Sequence, residues 1–245
     1  MKKPSIRKKQ GAVLFLLTLV LSLLGLLGYV FADPTGPILV SNSTLSPSGT
    51  GLMRNDSGGT ITVVVFSANQ NNPSWKAYVG NISGALVLDD SSGYSIYNWE
   101  MTTVVGEVYA TRASTVTWST VACADDAFVT TEQGNMGMGA SDTDNLNKTF
   151  NYTKHDAFWV SNNNISNSSC RTTYTFVNDS RQSDNETSYF QEVLLNSSTN
   201  IIYSTIIENN QLGFSENATY DFQMLVAEND QAAGNDAYYF WVELG

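Results

Sequence analysis

The chain has 245 residues, with 12 Lys+Arg against 23 Asp+Glu and a net charge of −11 at pH 7. Five of the cations stand in the first nine residues, so 33–245 holds 7 cations against 23 anions, a net of −16. That surface repels nucleic acid, whose binding needs cationic patches, and it gains nothing from anionic lipid.

The leader comes first. Lys2, Lys3, Arg7, Lys8 and Lys9 precede an uncharged, predominantly apolar run over 12–32, and Asp33-Pro34 follows. Three readings stay open. A positive start, an apolar stretch and a small residue at Ala32 fit a secretory signal peptide cut before Asp33. A run of about 20 apolar residues is also long enough to stay as a membrane anchor, with the flanking cations inside. The third reading is a pilin-type cut after Gly11. Against it, Leu16 stands where many pilins carry a glutamate, and the helix ends at Asp33-Pro34. Each of the three exports the rest of the chain.

Residues 33–59 are rich in Pro, Ser, Gly and Thr and read as an entry segment or stalk. From 60 to 245 the pattern is all-β. Runs rich in Val, Ile, Tyr, Phe, Trp and Thr recur between Asn/Gly/Ser/Asp clusters. The runs predict strands at 60–67, 75–80, 84–89, 94–101, 104–111, 114–122, 127–132, 156–161, 171–177, 189–195, 200–208, 219–227 and 237–244. No segment after Asp33 has a helical period. Turns at 80–84 and 89–93 predict two successive hairpins, because Gly supplies positive φ and Asp or Asn caps its own backbone. Tyr220, Phe222, Met224 and Val226 alternate with Asp221 and Gln223, as in a sheet packed on one side. Tyr238, Phe240, Val242 and Leu244 repeat that pattern. Trp241 and Tyr239 point the other way, to a second covered face or an exposed platform. The run Ile201, Ile202, Ile206, Ile207 predicts a strand covered on both faces. Residues 133–155 predict a long loop. The expected architecture is an antiparallel β-sandwich, jelly-roll-like, behind an N-terminal hydrophobic helix.

Two cysteines, Cys123 and Cys170, follow the leader. In an oxidising compartment they are expected to pair, and the alternative is two buried free thiols. A bridge of this span stabilises by about 4 kcal/mol in the chain-entropy model. Sequons stand at Asn42, Asn55, Asn81, Asn147, Asn151, Asn164, Asn167, Asn178, Asn185, Asn196 and Asn217, about twice the number that random placement of Asn, Ser and Thr would give. N-glycosylation would put them on the surface, and so would their use as turn formers.

Candidate chemistry is sparse. His155, the single histidine, sits beside Asp156 and reads as an exposed loop residue. No G-x-S-x-G elbow accompanies it, so no catalytic residue is assigned. No cofactor is expected apart from Ca²⁺, which takes clustered oxygen ligands. Asp142, Asp144 and Asn147 are the candidate metal ligands, and Asp125-Asp126 and Glu228-Asn229-Asp230 with Asn235-Asp236 are further acidic clusters. Asp89-Asp90 reads as a turn. Trp75, Trp99, Trp118, Trp159 and Trp241 all lie in or beside predicted strands, where core packing is the ordinary use and sugar stacking the alternative.

The segments 75–84 (WKAYVGNISG), 88–90 (LDD), 97–99 (YNW), 106–112 (GEVYATR) and 238–244 (YYFWVEL) resemble those of secreted or cell-surface β-sandwich proteins of archaea that have no assigned activity. The resemblance implies a surface or extracellular location and brings no catalytic residues. The expected function is therefore that of a non-enzymatic extracellular glycoprotein with a structural or adhesive role. The alternatives are a carbohydrate-binding module and a pilin-like filament subunit. Its expected partners are other surface proteins, glycans, further copies of itself and, if the leader stays on, the membrane through 12–32.

Overall fold

The computed structural model describes residues 33–45, 55, 58–59, 61, 63–64, 72–182, 190–198, 200–215, 217–229 and 237–245. The leader, most of the strand expected at 60–67, and Asn185 lie outside them. Among the described residues no helix is long and apolar enough to cross a membrane.

Sixteen strands are described: β1 (Trp75–Gly80), β2 (Ala85–Asp89), β3 (Ser95–Glu100), β4 (Gly106–Thr111), β5 (Ala122–Cys123), β6 (Phe158–Val160), β7 (Asn163–Ile165), β8 (Arg171–Thr173), β9 (Phe176–Val177), β10 (Ser180–Arg181), β11 (Glu192–Asn196), β12 (Ile201–Ile206), β13 (Gln211–Leu212), β14 (Thr219–Tyr220), β15 (Phe222–Ala227) and β16 (Tyr239–Leu244). All pairings between them are antiparallel. The fold is mostly β, as the alternating apolar pattern requires.

The central element is a six-stranded sheet in the order β16-β4-β12-β11-β5, with β8 also on β11. Its strands send alternate side chains into two separate cores. Val108 and Ala110 of β4, Leu194 of β11 and Ile201 and Tyr203 of β12 enter one core, with Met224 and Val226 of β15. Tyr109, Val193, Leu195 and Ile202 enter the other, with Trp118, Phe158, Val160 and Ile165. The isoleucine run of β12 is thus covered on both faces, as its continuous apolar character predicts. Trp241, partly buried, packs against the second core, edge-on to Trp118 at 5.7 Å between ring centres.

Two segments expected as strands are not strands. Residues 126–135 form a helix, α1 (Asp126–Asn135). The Asp125 carboxylate caps it by accepting the N–H groups of Ala127 and Phe128. The Phe-Val-Thr-Thr run that reads as β is held helical by this cap. The Thr130 and Thr131 hydroxyls donate to the carbonyls one turn back. Within 114–122, Trp118–Thr120 make a 3₁₀ turn, and only Ala122–Cys123 pair as a strand. The expected loop at 133–155 is packed instead. It carries the short helix α2 (Leu146–Thr149), and Met136, Met138, Leu146 and Phe150 fill the first core.

The first expected hairpin is also replaced. β1 pairs with β15, register Trp75↔Ala227 to Gly80↔Phe222, and not with β2. Asp221 fixes this choice. Its N–H donates to the Gly80 carbonyl, and its carboxylate accepts the N–H groups of Ile82 at 2.7 Å and Asn210 at 2.8 Å. Asp221 and Gln223, which alternate as solvent-facing residues should, are therefore buried and clamp neighbouring loops. The second hairpin, β2–β3, forms as expected. Asp90 accepts the N–H groups of Ser92 and Tyr94, and Gly93 sits at φ 82°.

Candidate functional site

The disulfide Cys123–Cys170 is formed, with Cα atoms 4.9 Å apart. Its place follows from the sheet. β5 and β8 share the same edge of β11, with Cys123 opposite Leu195 and Arg171 opposite Leu194. The bridge staples two short strands where they meet.

His155 is not the exposed loop residue its surroundings suggest; it is fully buried beside this staple. Its Nε2 accepts the N–H groups of Ser169 at 3.1 Å and Cys170 at 3.0 Å, so Nδ1 carries the proton and donates to the Asp156 carbonyl at 2.7 Å. Burial lowers its pKa from the ordinary value. Every ring nitrogen is engaged with backbone, which makes His155 a brace and leaves it no proton to move for a substrate.

The candidate Ca²⁺ ligands make contacts within the chain. The Asp142 carboxylate accepts the Gly139 N–H at 2.6 Å, and the Asp144 carboxylate accepts from the Asn72 side chain at 2.5 Å. The Lys148 ammonium donates to the Ser141 and Asp142 carbonyls, sitting where a cation would draw them. Asn147 is exposed, and its N–H donates to the Gln133 side chain. Among the described residues no group of three His, Cys, Asp or Glu converges as a metal site does. Asp125 and Asp126 serve as the cap of α1 and as the partner of Arg171. Asp230, Asn235 and Asp236 lie outside the described residues.

Sequence reasoning missed the buried acids. Glu107 of β4 and Glu243 of β16 are register partners, each only 8% exposed. Glu243 accepts the Tyr109 hydroxyl at 2.9 Å and the Ser161 N–H at 2.9 Å, which pins the β6–β7 turn to the sheet. Burial, and then the neighbouring Glu243 charge, push the Glu107 carboxyl up to about 8. Glu192 of β11 is wholly buried, and both its oxygens accept the Leu225 N–H at 2.9 Å, tying β11 to β15. Burial raises its pKa well above the usual range. Glu243 and Glu192 are locks between elements. Their only signal in the sequence is a glutamate inside a strand that is otherwise apolar.

The hairpin β2–β3 is the opposite case. Every residue in both strands is exposed. Register pairs Leu86 with Trp99 and Leu88 with Tyr97, so these four share one face. Tyr97 is 59% and Trp99 51% exposed, and their rings stack at 5.4 Å with planes 20° apart. Val87 and Ile96 are exposed as well. Neither strand pairs with anything else among the described residues. A lone two-stranded ribbon is marginal in water, and a contiguous exposed apolar face marks an interaction surface. Trp99 is thus no core tryptophan, while Trp118 is buried in the second core and Trp75, partly buried, packs against the first.

Nine sequon asparagines are exposed: Asn42, Asn55, Asn81, Asn147, Asn151, Asn164, Asn167, Asn178 and Asn217. Asn196 is not. It ends β11, is buried, and its amide donates to the Ser197 carbonyl. A comparison with protein-family models, with curated proteins and with solved structures finds no match to the chain.

Proposed function

We propose that this chain is a non-enzymatic surface protein with a structural or adhesive role, working outside the cell through its β2–β3 hairpin. The observation that carries the reading is the hairpin's apolar face of Leu86, Leu88, Tyr97 and Trp99, solvent-exposed on a chain otherwise strongly acidic. Export through the leader, glycans on the exposed sequons and the disulfide belong to the same reading, as does the resemblance to archaeal surface proteins. So does a jelly-roll-like sandwich body behind an apolar N-terminal helix. Cells displaying the full chain would be compared with cells displaying the Tyr97→Ser/Trp99→Ser variant at equal surface amount. The expected result is an at least tenfold loss of attachment to neighbouring cells or surfaces. Unchanged attachment rejects the reading.

The stacked Tyr97–Trp99 pair supports a second reading, carbohydrate binding on an aromatic face. A glycan array probed with the full chain, with and without EDTA, separates the two. No binding in either condition removes the carbohydrate reading, and binding lost with EDTA adds Ca²⁺ to it.

A further inference from the structure

The hairpin that carries the proposed function has a counterpart in the same chain. Thr35 pairs with Val242 on the outer edge of β16, through Thr35 N–H to the Val242 carbonyl at 2.9 Å and the reverse bond at 2.8 Å. The pairing stops there, since Pro37 has no N–H to offer. Beyond it the chain leaves the sheet, and each residue from 36 to 45 is exposed. Ile38 is 91%, Leu39 74% and Val40 89% exposed. Among the described residues the molecule therefore presents a ribbon with both edges unpaired and an apolar arm, Ile38–Val40, open to solvent.

Size and charge decide what fits the ribbon. Aromatic side chains carry about 150–250 Å² each, so its face, half-exposed rings and leucines together, comes to about 400 Å². A globular partner brings about 800 Å² to a standard interface. The face is the right size for a single strand, which adds backbone hydrogen bonds along a free edge. The ribbon holds Asp89, Asp90 and Glu100 and no cation. Most of the body would be repelled from it, because like charges brought together cost free energy. The arm is not, for residues 34–53 contain no Asp, Glu, Lys or Arg.

We propose that the Ile38–Val40 arm of one copy adds as a strand to the β2–β3 hairpin of a second copy. This rests on the reading of the hairpin as the functional surface and names its occupant. Arm and hairpin are different patches, so the contact is head-to-tail, and a head-to-tail contact that does not close into a ring grows into a filament.

The test uses the full chain, whose two native cysteines are already paired. Protein carrying Leu39→Cys is mixed with protein carrying Val87→Cys or Ile96→Cys under mild oxidation. The expected product is a covalent dimer of the two variants, and the partner that links reports which edge is taken. Absence of that dimer with either partner overturns the proposal. So does a Leu39→Cys/Val87→Cys double variant that closes only within its own chain. Leu39→Pro, at an exposed site that leaves the fold intact, is expected to weaken self-association at least tenfold in sedimentation. Unaltered sedimentation overturns the proposal too. If cross-linking fails while Tyr97→Ser/Trp99→Ser still abolishes attachment, the hairpin reading stands and the arm does not. If that variant leaves attachment intact, the hairpin reading itself is lost.

Discussion

Glu107 and Glu243 face each other across β4 and β16, nearly excluded from water. Two adjacent carboxylates cannot both ionise there at low cost, so Glu107 stays protonated up to about pH 8. Its folded pKa lies above its unfolded value, so the folded state holds the extra proton. The stability this supplies is complete below about pH 4.5 and is lost as pH rises toward 8. Thermal unfolding from pH 4 to 9 is expected to show the melting temperature falling through that window. Glu107→Gln, which keeps the shape and cannot ionise, is expected to flatten the fall, raising the melting temperature at pH 9 by several degrees, on the order of 2–4 °C per kcal/mol. A variant as alkali-sensitive as the native chain would contradict the buried pair.

Glu192 separates hydrogen bonding from charge. Its carboxyl receives the Leu225 N–H inside the core. Glu192→Ala leaves that N–H orphaned and opens a cavity, and is expected to cost about 3 kcal/mol. Glu192→Gln keeps an acceptor in place and is expected to cost under about 1 kcal/mol. Urea unfolding of the two variants at pH 7 checks this, and equal losses would show that the bridge to β15 contributes nothing.

His155 gives the opposite pH sign. Burial depresses its pKa, so the neutral ring's contribution is complete above its ordinary value of 6.5 and is lost as pH falls through the folded pKa. Protonation converts Nε2 from an acceptor of the Ser169 and Cys170 N–H groups into a donor facing two donors. Amide exchange at those two residues is expected to accelerate on acidification while exchange at Leu194 stays slow. His155→Ala is expected to cost about 2–5 kcal/mol by leaving two buried N–H groups unpaired.

How much of this is legible in the sequence depends on which interaction decides each element. Alternation places β15 and β16, because each lies against a core and burial enforces the period, and the continuous apolar run places β12, which is covered on both faces. It fails at 126–135, where one capping carboxylate on Asp125 outweighs the β preference of Val129, Thr130 and Thr131. It fails again in pairing β1, because Asp221 acts from a position about 140 residues away in the chain. Gln223 and His155 read as surface residues, and buried Glu107 and Glu192 pass unnoticed, because polarity is visible in a sequence and the surroundings that bury it are not. The hairpin's sequence is as apolar as a core strand's, so its exposure could be learned only from the fold. That contrast is what makes it the candidate surface.

The staple is expected to matter as much as any core residue. Cys123→Ser/Cys170→Ser removes a bridge of sequence separation 47 and frees β5 and β8 from one another at the edge of β11. The expected loss is about 4 kcal/mol, read as a shift in the denaturation midpoint against the oxidised chain. Reducing the native protein should produce the same shift. An unchanged midpoint in both would mean that His155 and β11 hold the two strands without it.

The asparagines offer a test in which one chain holds both sites and control. A glycan can join only an asparagine whose amide reaches solvent, and Asn196 spends its amide on the Ser197 carbonyl within a buried strand end. If the native protein is glycosylated, peptide mass spectrometry is expected to find sugar among the nine exposed sites and none at Asn196. Occupancy at Asn196 would mean that β11 is open when the glycan is attached, and that the strand joins the sheet only afterwards. Asn196→Asp would then leave the glycan pattern altered, whereas for a closed β11 it changes only stability, by about 1 kcal/mol for the lost donor.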